Sequence, residues 1–160
     1  MEEILRNIIK KLSEKGKTIA TMESCTGGAL ANEITSIEGA SDVLKFSAVT
    51  YSNEYKIKMG VDSKLIDEFS VYSVEVAKDM SKKISVFANS DYGVGITGKL
   101  NRADKNNNYG KDNLVFVSIY DKGKDKYTSL SIEVCCKTRK ENKQDVVNKI
   151  IYTLNTLIWF

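Results

Sequence analysis

The chain has 160 residues, 42% of them hydrophobic, which is enough for one domain with a substantial core. It has 24 Lys and Arg against 21 Asp and Glu, and because the two signs are interleaved, the net charge of +3 forms no basic stripe for nucleic acid. The absence of histidine excludes a Ser-His-Asp triad, a Cys-His dyad and any His-ligated metal site, so a catalytic base would be Lys, Tyr, Asp or Glu.

Along the chain, hydrophobic periodicity predicts helices that alternate with strands. The predicted helices cover 2–15, about 29–36, 53–59, 61–70, 73–87 and 139–157. The predicted strands cover 18–22, 45–51, 91–98, 114–120 and 127–135. This order predicts an α/β fold in a single domain over residues 1–160. The expected architecture is a three-layer α/β/α sandwich on a mixed, mostly parallel sheet of about five strands with one antiparallel edge pair.

The sequence contains no pattern typical of a membrane span, a signal peptide or a cysteine metal site. No stretch approaches the roughly 18 unbroken apolar residues of a membrane span, and residues 1–6 lack the order of a signal peptide. We therefore expect a cytoplasmic location and no membrane partner. Cys25, Cys135 and Cys136 match no zinc or redox spacing, so we expect neither a metal nor a cofactor. We expect Cys25 to be a packing residue, and Cys135 and Cys136 to be ordinary residues at the end of the last strand.

The turn between the first strand and the second helix is the first candidate site. Ser24 and Thr26 precede the glycine pair Gly27 and Gly28, and such a strand-to-helix turn directs backbone N–H groups into one small space. Ser24 could there attack a carbonyl, with the oxyanion held by the N–H groups. Alternatively, Ser24 and Thr26 only cap the helix, and caps are commoner than nucleophiles.

Lys56 is the second candidate. It lies in the first turn of a short helix that Ser52 or Asn53 can cap, where the helix dipole disfavours an ammonium. Burial would act in the same direction, and a neutral amine can accept a proton from a serine hydroxyl. The alternative is an ordinary surface lysine.

Four motifs follow one another in a characteristic order: Glu23–Gly28 (ESCTGG), Val49–Lys56 (VTYSNEYK), Tyr72–Ala77 (YSVEVA) and Gly95–Gly98 (GITG). Together they resemble the C-terminal domain of the CinA (competence/damage-inducible protein) family, over nearly the whole chain. The larger N-terminal domain of two-domain members is absent from the sequence. We therefore expect a stand-alone member, and such members are nicotinamide-nucleotide amidohydrolases.

The resemblance implies hydrolysis of the carboxamide of nicotinamide mononucleotide to the acid, with release of ammonia. A small-molecule nucleotide would then be the partner. Ser24 would be the nucleophile, Lys56 its base, and Tyr51 a member of the same proton network. The implied substrate-binding residues are Thr26, Gly27, Gly28, Thr97, Gly98 and Arg139.

Two of these groups have a more specific expected role. The turn amides near Thr26 to Gly28 would hold the oxyanion or a substrate phosphate. Arg139, which with Lys143 matches a basic pair before the last helix of family members, would bind phosphate because a guanidinium matches its geometry. Alternatively, Arg139 is a solvated residue at a helix start.

The sequence departs from the family after Gly98. Family members usually continue Ile-Ala-Gly-Pro and further glycines, whereas residues 99–112 here are charged, rich in asparagine and without period. This segment is either a lid or a solvated connection. The departure leaves two alternatives open: a non-catalytic module that binds a nucleotide or a partner, and an amidase or esterase for another small substrate.

The last four residues, 157–160, are Leu-Ile-Trp-Phe. Such an apolar tail is typical either of a homo-oligomer contact or of a segment that docks on its own core.

Overall fold

The computed structural model describes residues 1–102, 104–105 and 110–159. Its helices are α1 (Glu2–Glu14), α2 (Ala29–Thr35), α3 (Asn53–Lys58), α4 (Ser63–Phe69), α5 (Val74–Ala88) and α6 (Arg139–Trp159). Its strands are β1 (Ile19–Glu23), β2 (Leu44–Val49), β3 (Tyr92–Gly98), β4 (Leu114–Asp121) and β5 (Lys126–Glu133). A short 3-10 turn, Ala40–Asp42, precedes β2. The order of elements is the one that the sequence predicts.

The five strands form one sheet in the order β2-β1-β3-β4-β5. The pairs β1/β2 and β1/β3 are parallel, whereas β3/β4 and β4/β5 are antiparallel. The mixed α/β fold is therefore confirmed, with β4 as the strand that runs against the other four. The short connection before β5 requires an antiparallel neighbour, as expected. The reversal at β3/β4 adds a second antiparallel pair.

Two hydrophobic cores lie on opposite faces of the sheet, as a three-layer sandwich requires. The larger core joins the apolar stripes of α1, α2 and α6 to the side chains of the central strands that face these helices, including Val94 and Ile96. The smaller core contains Ala20 and Met22 of β1 with residues of α5. Alternate residues of β1 thus serve different faces, which is the period of a strand buried on both sides.

The alternating glycines of β3 let α5 lie very close to the sheet. A Cβ placed on Gly95 would lie 2.3 Å from the carbonyl oxygen of Ala77, and one on Gly93 would lie 1.9 Å from that of Ser81. Real Cβ atoms do not approach a backbone oxygen so closely. The face of β3 that its glycines leave without side chains is therefore used for helix packing, not for a ligand.

The apolar C-terminal segment docks on its own chain through residue 159. Ile158 is buried in the larger core, and its carbonyl accepts a hydrogen bond of 3.0 Å from Lys15 Nζ. Trp159 is more than half exposed, with the Lys11 ammonium over its ring. Phe160 lies outside the described residues. Within the described ranges, no helix has the length and apolar character needed to cross a bilayer.

The contact between α5 and β3 yields a stability prediction. Gly95→Ala should destabilise the fold by about 1–3 kcal/mol, because the new methyl group forces the helix away from the sheet. Urea unfolding measures the loss. Gly123→Ala is the matched control, since its Cβ would meet only the Asp121 carboxylate at 3.5 Å. Equal midpoints for the two variants would contradict the close packing.

Candidate active site

The candidate site lies at the carboxyl edge of the three parallel strands. Ser24 follows β1, Thr50 follows β2, and Gly98 ends β3. The N–H of Ser24 donates to the carbonyl of Ile96 (3.0 Å), and the N–H of Thr50 donates to the carbonyl of Glu23 (2.8 Å). Backbone hydrogen bonds therefore continue one residue past the strands and fix the position of Ser24. Sites at the carboxyl ends of parallel strands are common in α/β proteins.

The structure brings Ser24 and Lys56 into direct contact. Lys56 Nζ lies 2.9 Å from Ser24 Oγ, and it donates to the carbonyl oxygen of Thr50 at 2.8 Å. Lys56 reaches this position from α3, whose N-terminal cap is Ser52, with its Oγ accepting from the N–H of Tyr55 (3.3 Å). Two residues 32 positions apart thus form one buried pair.

Lys56 is only 2% exposed, which is rare for a lysine. Burial lowers the pKa of Lys56 from its ordinary 10.5 to about 8, while the Coulombic influence of Cys25 acts weakly in the opposite direction. Of the two causes that the sequence suggested, burial acts here. The expected opposition of the helix dipole is wrong, because α3 is only six residues long and Lys56 lies in its last turn. The amine is therefore much closer to its neutral, proton-accepting form near neutral pH than a surface lysine is.

Glu23 shapes the turn, and sequence reasoning assigned it no role. The residue is fully buried. Its carboxylate accepts hydrogen bonds from the Thr26 hydroxyl (2.6 Å) and from the N–H groups of Gly28 (3.1 Å), Leu30 (3.2 Å) and Ala31 (2.9 Å). A carboxylate at the start of a helix also complements the helix dipole. The signal was present, because a charged residue that ends a buried strand needs several donors.

The expected capping by Ser24 or Thr26 is wrong. The N-cap of α2 is Gly28, and no side chain of that residue exists to cap the helix. Glu23 provides the acceptors instead, from one turn earlier. Ser24 is consequently not needed as a cap and stays in contact with Lys56.

The pair opens into a cleft of about 610 Å³, a volume typical of small-molecule sites. Five of the nine residues that the resemblance assigns line it: Ser24, Tyr51, Lys56, Gly98 and Arg139. Residues that sequence reasoning did not assign to a site complete the wall: Cys25, Ser52, Asn53, Val71, Tyr72, Lys99, Leu100, Arg102 and Asp104.

Tyr51 and Arg139 form the outer rim of the cleft. The guanidinium of Arg139 donates to the hydroxyl of Tyr51 at 3.1 Å, and both side chains are exposed. In the described residues, the Tyr51 hydroxyl makes no hydrogen bond to Ser24 or Lys56. The structure thus places Tyr51 beside the pair and links it to Arg139.

The other four assigned residues do not line the cleft. The hydroxyls of Thr26 and Thr97 donate to Glu23 and to the carbonyl of Val71, the latter at 2.9 Å. The N–H groups of Gly27 and Gly28 donate to the carbonyl of Ser24 (2.9 Å) and to Glu23. Thr26, Gly27 and Gly28 therefore use these groups to build the turn. Thr97 uses its hydroxyl to join β3 to the loop at Val71, so none of the four groups is free for a ligand.

Gly27 has a further neighbour. The Nζ of Lys143 lies 3.2 Å from the position that a Cβ on Gly27 would take. Lys143, in the first turns of α6, therefore adds positive charge directly beside the turn. Its partner in the basic pair, Arg139, lies at the cleft rim.

The wall opposite α3 comes from the segment after β3. The ammonium of Lys99 lies 3.3 Å from Asp112 and 5.0 Å from the centre of the Tyr72 ring, and its side chain is only 2% exposed. The Tyr72 hydroxyl donates to Asp104, and burial, followed by this bond, raises the pKa of Tyr72. The N–H of Arg102 donates to the carbonyl of Asp112 (3.1 Å). This part of the 99–112 segment is thus a wall of the cleft; residues 103 and 106–109 lie outside the described residues.

Cys25 beside Ser24 is a packing residue, as expected. It is 4% exposed, and burial raises the pKa of its thiol to about 12, so the reactive thiolate is suppressed. Across the described part of the chain, no group of three or more Cys, Asp or Glu side chains is arranged to hold a metal ion.

Comparison with protein families then decides the relationship. The sequence model of the CinA C-terminal domain matches residues 1–158. The chain belongs to the CinA C-terminal domain family. The sequence motifs and the Ser24 turn therefore stand in a fold that this family shares.

Curated relatives carry the same family name. A putative competence-damage inducible protein of Clostridium kluyveri is 34% identical over 160 residues, which is 99% of this chain and 36% of that protein. One of Caldanaerobacter subterraneus is 48% identical over 99 residues, which is 61% of this chain and 23% of that protein. The chain thus spans only about a quarter to a third of the length of these relatives.

Solved structures agree in fold. The competence/damage inducible protein CihA from Agrobacterium tumefaciens superposes with a TM-score of 0.87 at 26% identity, over 98% of this chain and 94% of that chain. A CinA superfamily protein from Enterobacter cloacae has a TM-score of 0.90 at 20% identity, over 98% and 91% of the two chains. At the second identity, the likeness concerns the fold alone.

Glu23→Gln tests the architecture of the turn. The amide keeps the size of the side chain but removes the charge and turns an NH₂ group toward several donors, so the free energy of unfolding should fall by about 2–3 kcal/mol. Chemical denaturation checks this. Glu38→Gln, in an exposed loop, is the matched control and should stay within about 0.5 kcal/mol of wild type. Equal stability of both variants would contradict the conclusion that the Glu23 carboxylate stabilises the turn.

The buried amine also predicts a pH dependence of stability. Between about pH 8 and 10.5, Lys56 binds more protons in the unfolded chain than in the folded one, so the free energy of unfolding rises with pH. Lys56→Met lacks this rise. The free energy of unfolding of the wild type, relative to that of Lys56→Met, should therefore rise by about 3 kcal/mol across this range, at about 1.4 kcal/mol for each pH unit.

Lys58→Met is the control for this measurement, because Lys58 is exposed on the same helix. Its stability should follow the wild-type curve at every pH. Parallel curves for wild type and Lys56→Met would contradict a lowered pKa of Lys56.

Proposed function

We propose that this protein is an amidohydrolase that converts nicotinamide mononucleotide to nicotinic acid mononucleotide and ammonia through a Ser-Lys mechanism. The observation that carries the proposal is the contact of 2.9 Å between Ser24 Oγ and the buried amine of Lys56, at the floor of a cleft. The family resemblance supplies the substrate, and the absence of histidine leaves lysine as the base nearest to the serine.

In the first half of the reaction, neutral Lys56 accepts the hydroxyl proton of Ser24 while Oγ attacks the carboxamide carbon. The C=O π electrons move to the oxygen and form an oxyanion. As the C–N bond breaks, the Lys56 ammonium gives its proton to the leaving nitrogen, and ammonia departs. An ester between Ser24 and the nicotinoyl group remains.

In the second half, a water molecule attacks the ester carbon and Lys56 accepts the proton from that water. The C–O bond to Ser24 then breaks, and the serine oxygen recovers the proton from Lys56. The net reaction is amide plus water to acid plus ammonia. One base thus serves both halves, which suits a pKa near the working pH.

The oxyanion needs donors that the turn has not already used. The N–H groups of Gly27 and Gly28 are engaged, so they are unavailable unless the turn rearranges. In the described part of the chain, the N–H of Thr26 donates to no acceptor. Thr26 itself does not line the cleft, but it adjoins Cys25, which does, and we infer that the backbone N–H of Thr26 supplies an oxyanion donor when substrate reaches the turn.

The charges around the cleft fit a substrate that carries a phosphate. Lys99, Arg102 and Arg139 line it against one acid, Asp104. Arg102 and Arg139 are exposed at the rim, where a guanidinium can bind phosphate through two hydrogen bonds. Tyr51 and Tyr72 offer aromatic surface to a cationic pyridinium ring. We infer that the ring lies over Ser24 and the phosphate at the Arg102 and Arg139 side.

Turnover of nicotinamide mononucleotide tests the proposal. Ser24→Ala and Lys56→Met should each lower kcat/KM by about 10³-fold or more, because one removes the nucleophile and the other its base. In the wild type, kcat/KM should rise with pH and level off above about pH 8, as Lys56 becomes neutral. Release of ammonia and of the acid product is measured.

Ser36→Ala and Lys58→Met are the matched controls, since both side chains are exposed and lie outside the cleft. Their turnover should equal that of the wild type. Binding of the nucleotide without turnover by the wild-type protein would overturn the enzyme and favour a binding module. Turnover of other amides but not of this nucleotide would place the same chemistry on a different substrate.

A further inference from the structure

Thr50 lies next to the Ser24–Lys56 pair and carries a hydroxyl that the mechanism above does not use. Its backbone is held on both sides: the N–H donates to the carbonyl of Glu23, and the C=O receives Lys56 Nζ at 2.8 Å. The residue therefore sits between the serine turn and the base. Its carbonyl contacts the amine of Lys56 directly, whereas its hydroxyl makes no hydrogen bond to that amine in the structure.

The Thr50 hydroxyl is buried without a hydrogen-bond partner. The residue is 2% exposed, and among the described residues its Oγ1 makes no hydrogen bond. The other buried threonines differ: the hydroxyls of Thr21, Thr26 and Thr97 donate to Ser47, Glu23 and Val71. A buried hydroxyl without a partner destabilises a fold, whereas valine has the same shape without that penalty.

Lys56 needs a further hydrogen-bond acceptor once its amine is protonated. A neutral amine has two N–H groups, and its lone pair accepts the Ser24 proton. After the transfer, the ammonium has three N–H groups. Two acceptors stand within 3 Å in the structure, Ser24 Oγ and the Thr50 carbonyl. Ser24 Oγ also becomes an ester oxygen, which is a weaker acceptor.

We propose that Thr50 is a positioning residue whose hydroxyl oxygen accepts, directly or through one water molecule, an N–H of the Lys56 ammonium. This inference rests on the proposed function for its role in turnover, although the hydrogen bond itself requires only that Lys56 be protonated. The hydroxyl stabilises the charged state of the base and keeps its amine directed at Ser24 while the substrate nitrogen leaves.

Three ionisable groups share this region, and the test must leave them unchanged. Glu23 lies behind the turn, Cys25 lies on it, and Arg139 lies at the rim; Glu23 and Arg139 both act electrostatically on Cys25. Thr50→Val changes only the hydroxyl of a β-branched side chain, so these groups keep their positions. Thr50→Ser retains the hydroxyl and is the matched control.

The decisive measurement is the titration of Lys56 itself, without substrate. In protein with ¹³C-labelled lysine, the Cε signal that disappears in Lys56→Met identifies the residue. Loss of an acceptor destabilises the ammonium, so Thr50→Val should lower the pKa of Lys56 by about one pH unit, a tenfold change. Thr50→Ser should leave it within a few tenths of a pH unit of wild type.

An unchanged pKa of Lys56 in Thr50→Val would overturn the proposal, as would an equal fall in the valine and serine variants. A purely structural role would alter the unfolding midpoint of the valine variant and leave the pKa in place. If Thr50→Val does not fold, Thr50→Cys replaces it, because sulfur is a weak acceptor and the same fall in pKa is then expected.

Turnover gives an independent second measurement. With nicotinamide mononucleotide, Thr50→Val should lower kcat about tenfold with little change in KM, and Thr50→Ser should restore it. If the wild type shows no turnover, the proposed function fails while the titration still decides the role of Thr50. An equal loss of kcat in both variants would count against the hydroxyl.

Discussion

The burial of one amine sets the requirements for the rest of the site. An ammonium loses much of its hydration at the position of Lys56, and among the described residues two acceptors, Ser24 Oγ and the Thr50 carbonyl, replace it. The fold therefore favours the neutral form, and the neutral form is the one that can activate a serine. In this site without histidine, burial brings the pKa of a lysine close to neutral pH, as the proposed mechanism requires of its base.

Such a contact requires precise placement of two chain segments far apart in sequence, and the backbone provides it. The parallel pairing of β1 and β2 ends at Glu23 and Val49, and one further hydrogen bond, from Thr50 to Glu23, carries the alignment to the serine. Glu23 then fixes the turn, because its carboxylate accepts four hydrogen bonds. The strand edge, the turn and the start of α2 are thereby tied together.

Much of this arrangement could be predicted from the sequence, because local patterns determine it. The order of helices and strands follows from periodicity, and the serine turn follows from its glycines. The partner of Ser24 was predictable in part: the absence of histidine left Lys, Tyr, Asp or Glu, and the family resemblance singled out Lys56. The reversal at β3/β4 was not, because strand direction depends on where a connection crosses the sheet and no local pattern records it.

The roles of individual polar groups were harder to predict for the same reason. Thr26 and Thr97 carry hydroxyls in motifs next to the site, yet both hydroxyls serve the backbone of the fold. Tyr72 and Lys99 gain their importance from Asp104 and Asp112, which lie further along the chain. Glu23 gains its importance from several donors at once, within the turn that follows it. A motif shows which residues lie near a site, but only the three-dimensional contacts show which side chains face it.

The two sides of the cleft are held in place by different parts of the fold. The residues that would select a substrate can therefore change without a change at Ser24 and Lys56. Strand ends and the Glu23 turn hold Ser24 and Lys56, so the reacting groups depend on the core of the fold. The wall formed by the segment after β3 depends on side-chain contacts: Lys99 with Asp112, and Asp104 with Tyr72. Charged side chains therefore stand where family members usually have a glycine-rich loop. A change of sequence there alters which molecule fits the cleft while leaving the serine–lysine contact intact, because no residue of that wall lies between the two reacting atoms.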